Sequence, residues 1–430
     1  MKYQIKEPIL HAKHRENFSF NIKKNSLAII NASDEFPRSG DQTFSFKQNP
    51  DLFYLTGIDQ EQTILLLFPD CPNPLYREVL FLRQTNEHIA VWEGYKYTKE
   101  QAKETSGIQN IYWLDEFWPI LSSIIHYAEH IYLNTNENDR YEQSVPYRDL
   151  RFISQIKAKY PLHRYERAAP IFRKLRAIKS DTELKYIQQA CNITGDAFRR
   201  VLRFVKPNVG EWEIEAEIIH EFIRQQATGH AYAPIIASGV NACILHYNDN
   251  NRFCNNGDVI LFDFAAEYGN YNADLSRSIP VNGKFTQRQK DVYNAVLHVF
   301  KEAKKMLLPG TIWNEYHEEV GKIMTAELIK LNLLDRHDVE KQDPKMPAYK
   351  KYFMHGTSHH LGIDVHDFAS RYEPFAIGNV LTCEPGIYIP AEGLGIRIEN
   401  DIYISESGPI DLMQHIPIEA EEIEDIMNGA

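Results

Sequence analysis

The segments Gly257-Asp-Val-Ile-Leu-Phe-Asp263 and Gly378-Asn-Val-Leu-Thr-Cys-Glu384 lie 121 residues apart and repeat one pattern. In each, a glycine turn leads into an apolar strand that ends on a carboxylate, and a second strand follows with another acid, Asp274 or Glu399. Alternating apolar positions around Asp274 and around Glu399 read as half-buried return strands, so two hairpins deliver four carboxylates. Buried acids are costly unless they are paired or bound to metal, and the stretch holds too few arginines to neutralise four of them. The reading that satisfies all four is a site for two divalent cations.

The repeat extends upstream. Before the first hairpin, a helical stretch from Thr182 to Val205 ends near Pro207, and Trp212 falls inside a second one, Glu211 to Ala227. Before the second, apolar spacing from Gln287 to Leu308 stops at Pro309-Gly310, and Trp313 opens the next helix. The tryptophans are 101 residues apart and the hairpins 121. An insertion after Leu334 absorbs the difference, because Lys341-Gln-Asp-Pro-Lys-Met-Pro347 cannot continue a helix. Two helix-helix-hairpin units facing each other would share a cleft, a natural ligand site.

A chain of 430 residues has room for two or three domains. Its formal charge of −12 argues against nucleic acid or an anionic membrane as the main partner. The start, Met-Lys-Tyr-Gln-Ile-Lys-Glu-Pro, lacks the apolar core of a signal peptide, and no apolar run reaches membrane-spanning length, so a cytoplasmic protein is expected. Five scattered cysteines without a C-x-x-C pair fit a reducing compartment. Cys383, next to Glu384 in a strand, should face away from the acid.

A domain boundary falls near residue 170, giving domains of 1–170 and 171–430. Ser180-Asp-Thr-Glu183 is a capping-box pattern that starts the first helix of the repeat. Before it, strands at Thr63 to Phe68, Glu78 to Leu82 and His130 to Leu133 alternate with helices near Lys99 to Thr105 and Phe117 to Tyr127, the order of a separate α/β domain. The acidic tail from Glu419 to Asp425 reads as a solvated face.

Between the hairpins runs His355-Gly-Thr-Ser-His359-His360-Leu-Gly-Ile-Asp-Val-His366-Asp. Gly356 stands where a helical H-E-x-x-H zinc site needs glutamate, and the glycine-rich flanks favour loop or strand. One imidazole among four carboxylates is the arrangement expected, an oxygen-rich set that suits manganese, iron or cobalt as well as zinc.

The ordered set Asp263, Asp274, His359, Glu384 and Glu399, with 11 residues between the aspartates and 15 between the glutamates, resembles the dinuclear site of the pita-bread metallopeptidases. Within them, Met354-His-Gly-x-Ser-His359-x-Leu-Gly-x-Asp-Val-His366-Asp, Leu381-Thr-x-Glu384-Pro-Gly-x-Tyr and Gly395-Ile-Arg-Ile-Glu399 are most similar to aminopeptidase P. Phe46 to Gly57 resembles the N-terminal domain that this group shares with prolidase, and Val281-Asn-Gly-Lys-Phe-Thr continues the match. Ala265, where many relatives have glycine, and His360, where they have an aromatic or apolar residue, depart from the pattern.

The resemblance implies an α/β protein, an N-terminal α/β domain followed by a pita-bread catalytic domain of duplicated helix-helix-hairpin units. It implies a metal-dependent exopeptidase that releases the first residue from peptides with proline second. Two divalent ions, manganese foremost, would sit roughly 3.5 Å apart on Asp263, Asp274, His359, Glu384 and Glu399, with a bridging hydroxide attacking the carbonyl. Glu384 would carry the proton to the proline nitrogen. His246, His355, His366 and Arg397 fall at catalytic or substrate-contacting positions, and simple charge pairing is the alternative for Arg397. Trp92 and Asp41 match positions that approach a neighbouring subunit's site in a homodimer or homotetramer, with a core tryptophan as the alternative for Trp92.

The scissile X-Pro nitrogen carries no hydrogen, so pocket shape must select proline. A prolidase restricted to dipeptides is the nearest rival. A non-catalytic binding protein or a metal-independent amidinohydrolase would be expected to lack ligands, and all five are present here.

Overall fold

The computed structural model describes residues 6–138, 140, 145–343 and 345–429, the side chain of residue 338 aside. The chain divides into two compact units, Gln4–Leu175 and Arg176–Ala430.

The first unit is built on a six-stranded mixed sheet. Its central strand, Ser26–Asn31, is buried along its whole length. It pairs antiparallel with Ile64–Leu67 on one side and parallel with His130–Leu133 on the other. Glu78–Leu82 and Asn110–Trp113 extend one edge, and Arg164–Arg167 the other. Helices Lys99–Ser106 and Phe117–Ile124 form where the sequence reading puts them. Phe117, Leu121 and Ile124 pack with Leu27, Leu66, Phe81 and Ile131 in one core, each contributing roughly 1.5–3 kcal/mol by burial.

The second unit is duplicated. Helices Asp181–Phe204 and Glu211–Arg224 precede the first set of strands, and Gln287–Lys305 and Trp313–Lys330 precede the second. Capping boxes open the leading helix of both halves, Ser180 with Glu183 and Thr286 with Gln289. Each cap contributes about 1 kcal/mol. The strands repeat too: Val259–Asp263 pairs antiparallel with Ser276–Pro280, and Val380–Cys383 with Asn400–Ser405. Gly257 and Gly378 enter these strands at φ of +90° and +94°, a backbone region that side chains with a Cβ rarely adopt. A Cβ on Gly378 would also lie 2.7 Å from the Ile178 side chain. In the insertion, a short helix stops at Glu340 and helical backbone resumes at Ala348; residue 344 lies outside the described residues.

Three expectations are corrected. The paired strands are not simple hairpins, because each pair encloses a smaller hairpin, Ala266–Tyr268 with Tyr271–Asn272 and Gly386–Ile389 with Leu394–Arg397. Consequently Asp274 and Glu399 occupy breaks just ahead of the return strands rather than positions inside them. The acidic tail is a helix, Ala420–Met427, whose Glu421, Glu422 and Asp425 are solvated as expected; only Glu424 departs, buried with Ala420 and Ile423 and held by Lys284 and the Phe285 N–H. Trp92 is 77 % exposed on helix Glu87–Glu93, so it is no core residue.

Candidate metal centre

Strand ends bring the acids together. Asp263 closes the strand Val259–Asp263, Glu384 follows Val380–Cys383, and Glu399 forms an isolated bridge with Ser276 at the start of the opposite return strand. The two halves therefore touch where their carboxylates lie. His359 comes from the loop between the helices and the strands of the second half; its backbone N–H donates to Thr382 Oγ1 at 3.0 Å, and its Nδ1 faces the His360 carbonyl at 3.0 Å. Its Nδ1–H donates to that carbonyl, so Nε2 is the nitrogen that carries the lone pair a metal would use. Nε2 lies 3.4 Å from Asp274 Oδ2 and 3.7 Å from Glu384 Oε1.

Ligand atoms of Asp274, His359 and Glu399 all lie within 4.8 Å of one another. Burial, and then the charge of Asp263, pushes Asp274 well above the usual carboxylate range. Burial, followed by Asp274 and Glu384, does the same to Glu399. Glu384 is raised to about 7, chiefly by burial, with the His359 charge opposing. The cationic group bonded directly to an acid here is Arg397, whose Nη2 stands 2.6 Å from Asp263 Oδ2. One guanidinium cannot neutralise four crowded carboxylates. Divalent cations would, and four carboxylates with one imidazole suit them. The residues present therefore fit divalent metal: Asp274, His359 and Glu399 are grouped closely enough to hold an ion, and Asp263 and Glu384 lie beside them.

Sequence reasoning quoted or passed over several supports without giving them roles. The buried Tyr232 hydroxyl lies 2.5 Å from Asp263 Oδ1 and also reaches Asp274 Oδ1, so one proton is shared between two acids. Burial first, and then those acids, keeps Tyr232 protonated. Ser276 donates to Glu399 Oε2 at 2.7 Å and accepts from Arg397 Nε at 2.7 Å. Arg277 is fully buried and donates to the Glu399 carbonyl at 2.8 Å, fixing the backbone of that ligand. Asp401 accepts the Asp274 N–H at 3.0 Å. The signal for Ser276 was its place two residues after Asp274; Tyr232 lies between the second helix and the strands of the first half, where the repeated pattern is silent.

The histidines separate by role. His355 Nε2 is 2.8 Å from the Tyr388 hydroxyl, which also accepts from Arg397 Nη1 at 2.9 Å. Its Nδ1 lies 2.8 Å from the Gly356 carbonyl and 3.6 Å from Glu384 Oε2. Burial, then the charge of Arg397, lowers His355 to about 3. The His366 ring meets His359 edge-on, centroids 4.4 Å apart. His246 is exposed, near enough for its charge to bear on His355. His360 lies over Trp313 at 5.8 Å, and burial holds it neutral, lowered to about 3. Arg397 is the charge partner of Asp263 and more, bonded also to Tyr388 and Ser276. Cys383 points away from Glu384 toward the Phe300 carbonyl and the Tyr316 hydroxyl. Asp41, on an exposed turn, and Trp92 belong to the first unit.

Residues 185–406 match the model of metallopeptidase family M24, and residues 11–132 match that of the aminopeptidase P N-terminal domain. The chain is 32% identical to an Xaa-Pro aminopeptidase of Haemophilus influenzae, over 100% of this chain and 99% of that protein. It is 33% identical to the Xaa-Pro aminopeptidase of Escherichia coli, over 97% of each. Among solved structures, E. coli aminopeptidase P with the inhibitor Pro-Leu superposes with a TM-score of 0.87 at 30% identity, covering 99% of both chains. The Pseudomonas aeruginosa aminopeptidase PepP gives 0.89 at 29%, again over 99% of both.

Proposed function

Because this chain belongs to metallopeptidase family M24, we propose that it is an Xaa-Pro aminopeptidase, a metal-dependent exopeptidase that releases the first residue from peptides with proline second. The observation that carries this reading is the convergence of four carboxylates and His359 at the junction of the two repeated halves.

When bound there, divalent cations, manganese foremost, polarise a carbonyl and acidify water. The remaining work falls to side chains. Glu384 takes the proton of the attacking water and delivers it to the proline nitrogen, which must be protonated to leave. His246 and His366 orient the peptide and steady the oxyanion that develops on its carbonyl. Arg397 fixes Asp263, and Tyr388 fixes both Arg397 and His355. Proline is selected by the shape of the site around its ring.

Residues 1–170 form the N-terminal domain and 171–430 the catalytic one in this reading, with the protein working in the cytoplasm as a homodimer or homotetramer. Trp92 and Asp41, both exposed, are suited to reach a neighbouring subunit's site.

The test is hydrolysis of an X-Pro dipeptide and an X-Pro-Y-Z tetrapeptide with added manganese, a chelator control and mass analysis. Release of X from the tetrapeptide, abolished by chelator, is expected. Cleavage of the dipeptide alone would make the protein a prolidase, and inactivity on both across several metals would overturn the peptidase reading.

A further inference from the structure

The loop that carries His359 and His366 is pinned by a buried cluster of charges. Asp367, which follows His366, accepts hydrogen bonds from Lys179 Nζ at 2.8 Å and from Arg176 Nη2, and Arg176 Nη2 also donates to Asp364 Oδ2 at 2.6 Å. Lys179 Nζ donates in turn to the Arg176 carbonyl at 2.6 Å. Arg176, Lys179 and Asp367 are all buried. Two cations against two carboxylates leave the cluster neutral. Burial opposes ionisation of Asp367, but Arg176 and Lys179 outweigh it and hold the acid well below the usual carboxylate range. The fit is close: a Cβ on Gly362 would lie 2.2 Å from Asp367 Oδ2 and 3.0 Å from Lys179 Nζ.

One carbonyl ties Asp367 to His359. The Asp367 N–H donates to the His360 carbonyl at 2.8 Å, and the same oxygen takes the His359 Nδ1–H at 3.0 Å. A carbonyl oxygen has two lone pairs, so both are used. The first of these bonds closes the turn from His360 to Asp367, on which His366 meets His359 edge-on. From the first half, Asn272, two residues before Asp274, holds the Gly362 carbonyl through its N–H at 2.9 Å and its Nδ2 at 3.1 Å. Stability alone gives no reason for charges at this place, since apolar residues of similar volume often hold a fold as well as a buried ion cluster or better. What apolar residues could not do is fix the Asp367 carboxylate at one point, and with it the N–H that meets the His360 carbonyl.

We infer that Arg176, Lys179 and Asp367 are positioning residues, which fix the His360 carbonyl and through it hold His359 in its Nδ1–H tautomer with Nε2 toward the acids. The inference rests on the metallopeptidase reading for the use made of Nε2, and extends it to three residues outside the ligand set. A neutral imidazole that loses this acceptor can carry its proton on Nε2 instead, and that nitrogen then has no lone pair for a cation.

The experiment uses the full chain and its Asp367→Asn and Lys179→Met variants. Isotope-labelled histidine NMR of the metal-free protein, recorded well above the ordinary histidine pKa and with the His359 signals identified from a His359→Gln sample, reads the tautomer. Calorimetric titration with manganese reads the affinity. The parent should show a single Nδ1–H tautomer at His359. Asp367→Asn should populate the Nε2–H form and weaken manganese on the order of tenfold, the range expected when the partner of a ligating histidine is disturbed. Lys179→Met, which keeps the bond from Arg176 to Asp367, should move both readouts the same way by less, and it carries the test if Asp367→Asn fails to fold. An unchanged tautomer with affinity within about twofold in every variant that folds would overturn the inference, even if melting temperature fell, because the cluster would then serve the fold alone. A parent His359 protonated on Nε2 would overturn it as well. A tautomer shift in the variants with no manganese binding by the parent would keep the positioning role and overturn the metallopeptidase reading instead.

Discussion

The Tyr388 hydroxyl fixes the tautomer of His355. Arg397 can only donate, so the hydroxyl 2.9 Å from its Nη1 accepts there; the Gly356 carbonyl can only accept, so neutral His355 keeps its proton on Nδ1 and its Nε2 takes the Tyr388 proton at 2.8 Å. The His355 proton then resides on Nδ1, donated to the Gly356 carbonyl at 2.8 Å. Burial and the nearby Arg397 keep that ring neutral, lowered to about 3. Tyr388→Phe releases both partners. We expect turnover to fall about 10–100-fold with metal content unchanged, read by kcat and elemental analysis together; loss of metal would make Tyr388 a support of the ligands rather than of His355.

Glu384→Gln removes both a metal holder and the proposed proton carrier while keeping the side chain's size. Turnover should drop at least ~100-fold while far-UV circular dichroism stays native. Near-normal turnover would assign proton transfer to another group.

Crowded acids at this site should make the apo-protein sensitive to cations. Manganese at 100 times its Kd should stabilise the fold by about 2.7 kcal/mol, seen as a rise in melting temperature that chelator reverses. In Glu399→Gln, which weakens the ligand set, the same manganese concentration should produce a smaller rise; an equal rise would place the cations elsewhere.

His230 predicts a pH effect of its own. Both its ring nitrogens are buried without a partner among the described residues, its ring meets Phe222 edge-on, and burial lowers it to about 4. The unfolded chain, with an ordinary histidine near 6.5, binds the proton first as pH falls. Its contribution to stability is therefore full above pH 6.5 and declines toward pH 4, by about 3 kcal/mol. His230→Phe should flatten the dependence of unfolding free energy on pH across that window, measured by urea titration; an unchanged slope would mean that other groups carry it.

Trp92 is 77 % exposed, so Trp92→Ala should change unfolding free energy by no more than ~0.5 kcal/mol. Loss of activity with unchanged stability in the assembled protein would fit a contact with a neighbouring subunit's site. A large stability loss would contradict the exposed placement.

Much of this was legible in local sequence because its causes are local. A glycine forced to positive φ starts each repeat, alternation marks the strands, and capping residues three apart mark the helix starts at Ser180 and Thr286. Those signals set the duplicated order and the four carboxylates without any long-range information; that His359 joins them came from the resemblance to the pita-bread metallopeptidases. Register and side-chain neighbours across the two halves were not legible. That Ser276 bridges Glu399 and Arg397 and that Tyr232 spans Asp263 and Asp274 depend on chain segments tens to more than a hundred residues apart. The enclosed hairpins and the docked tail helix belong to the same class. Sequence determined which groups this protein possesses and which elements carry them, since propensity and periodicity act over a few residues. Only the tertiary structure decided which of those groups meet, because burial and Coulomb energy depend on distances that the chain order does not contain.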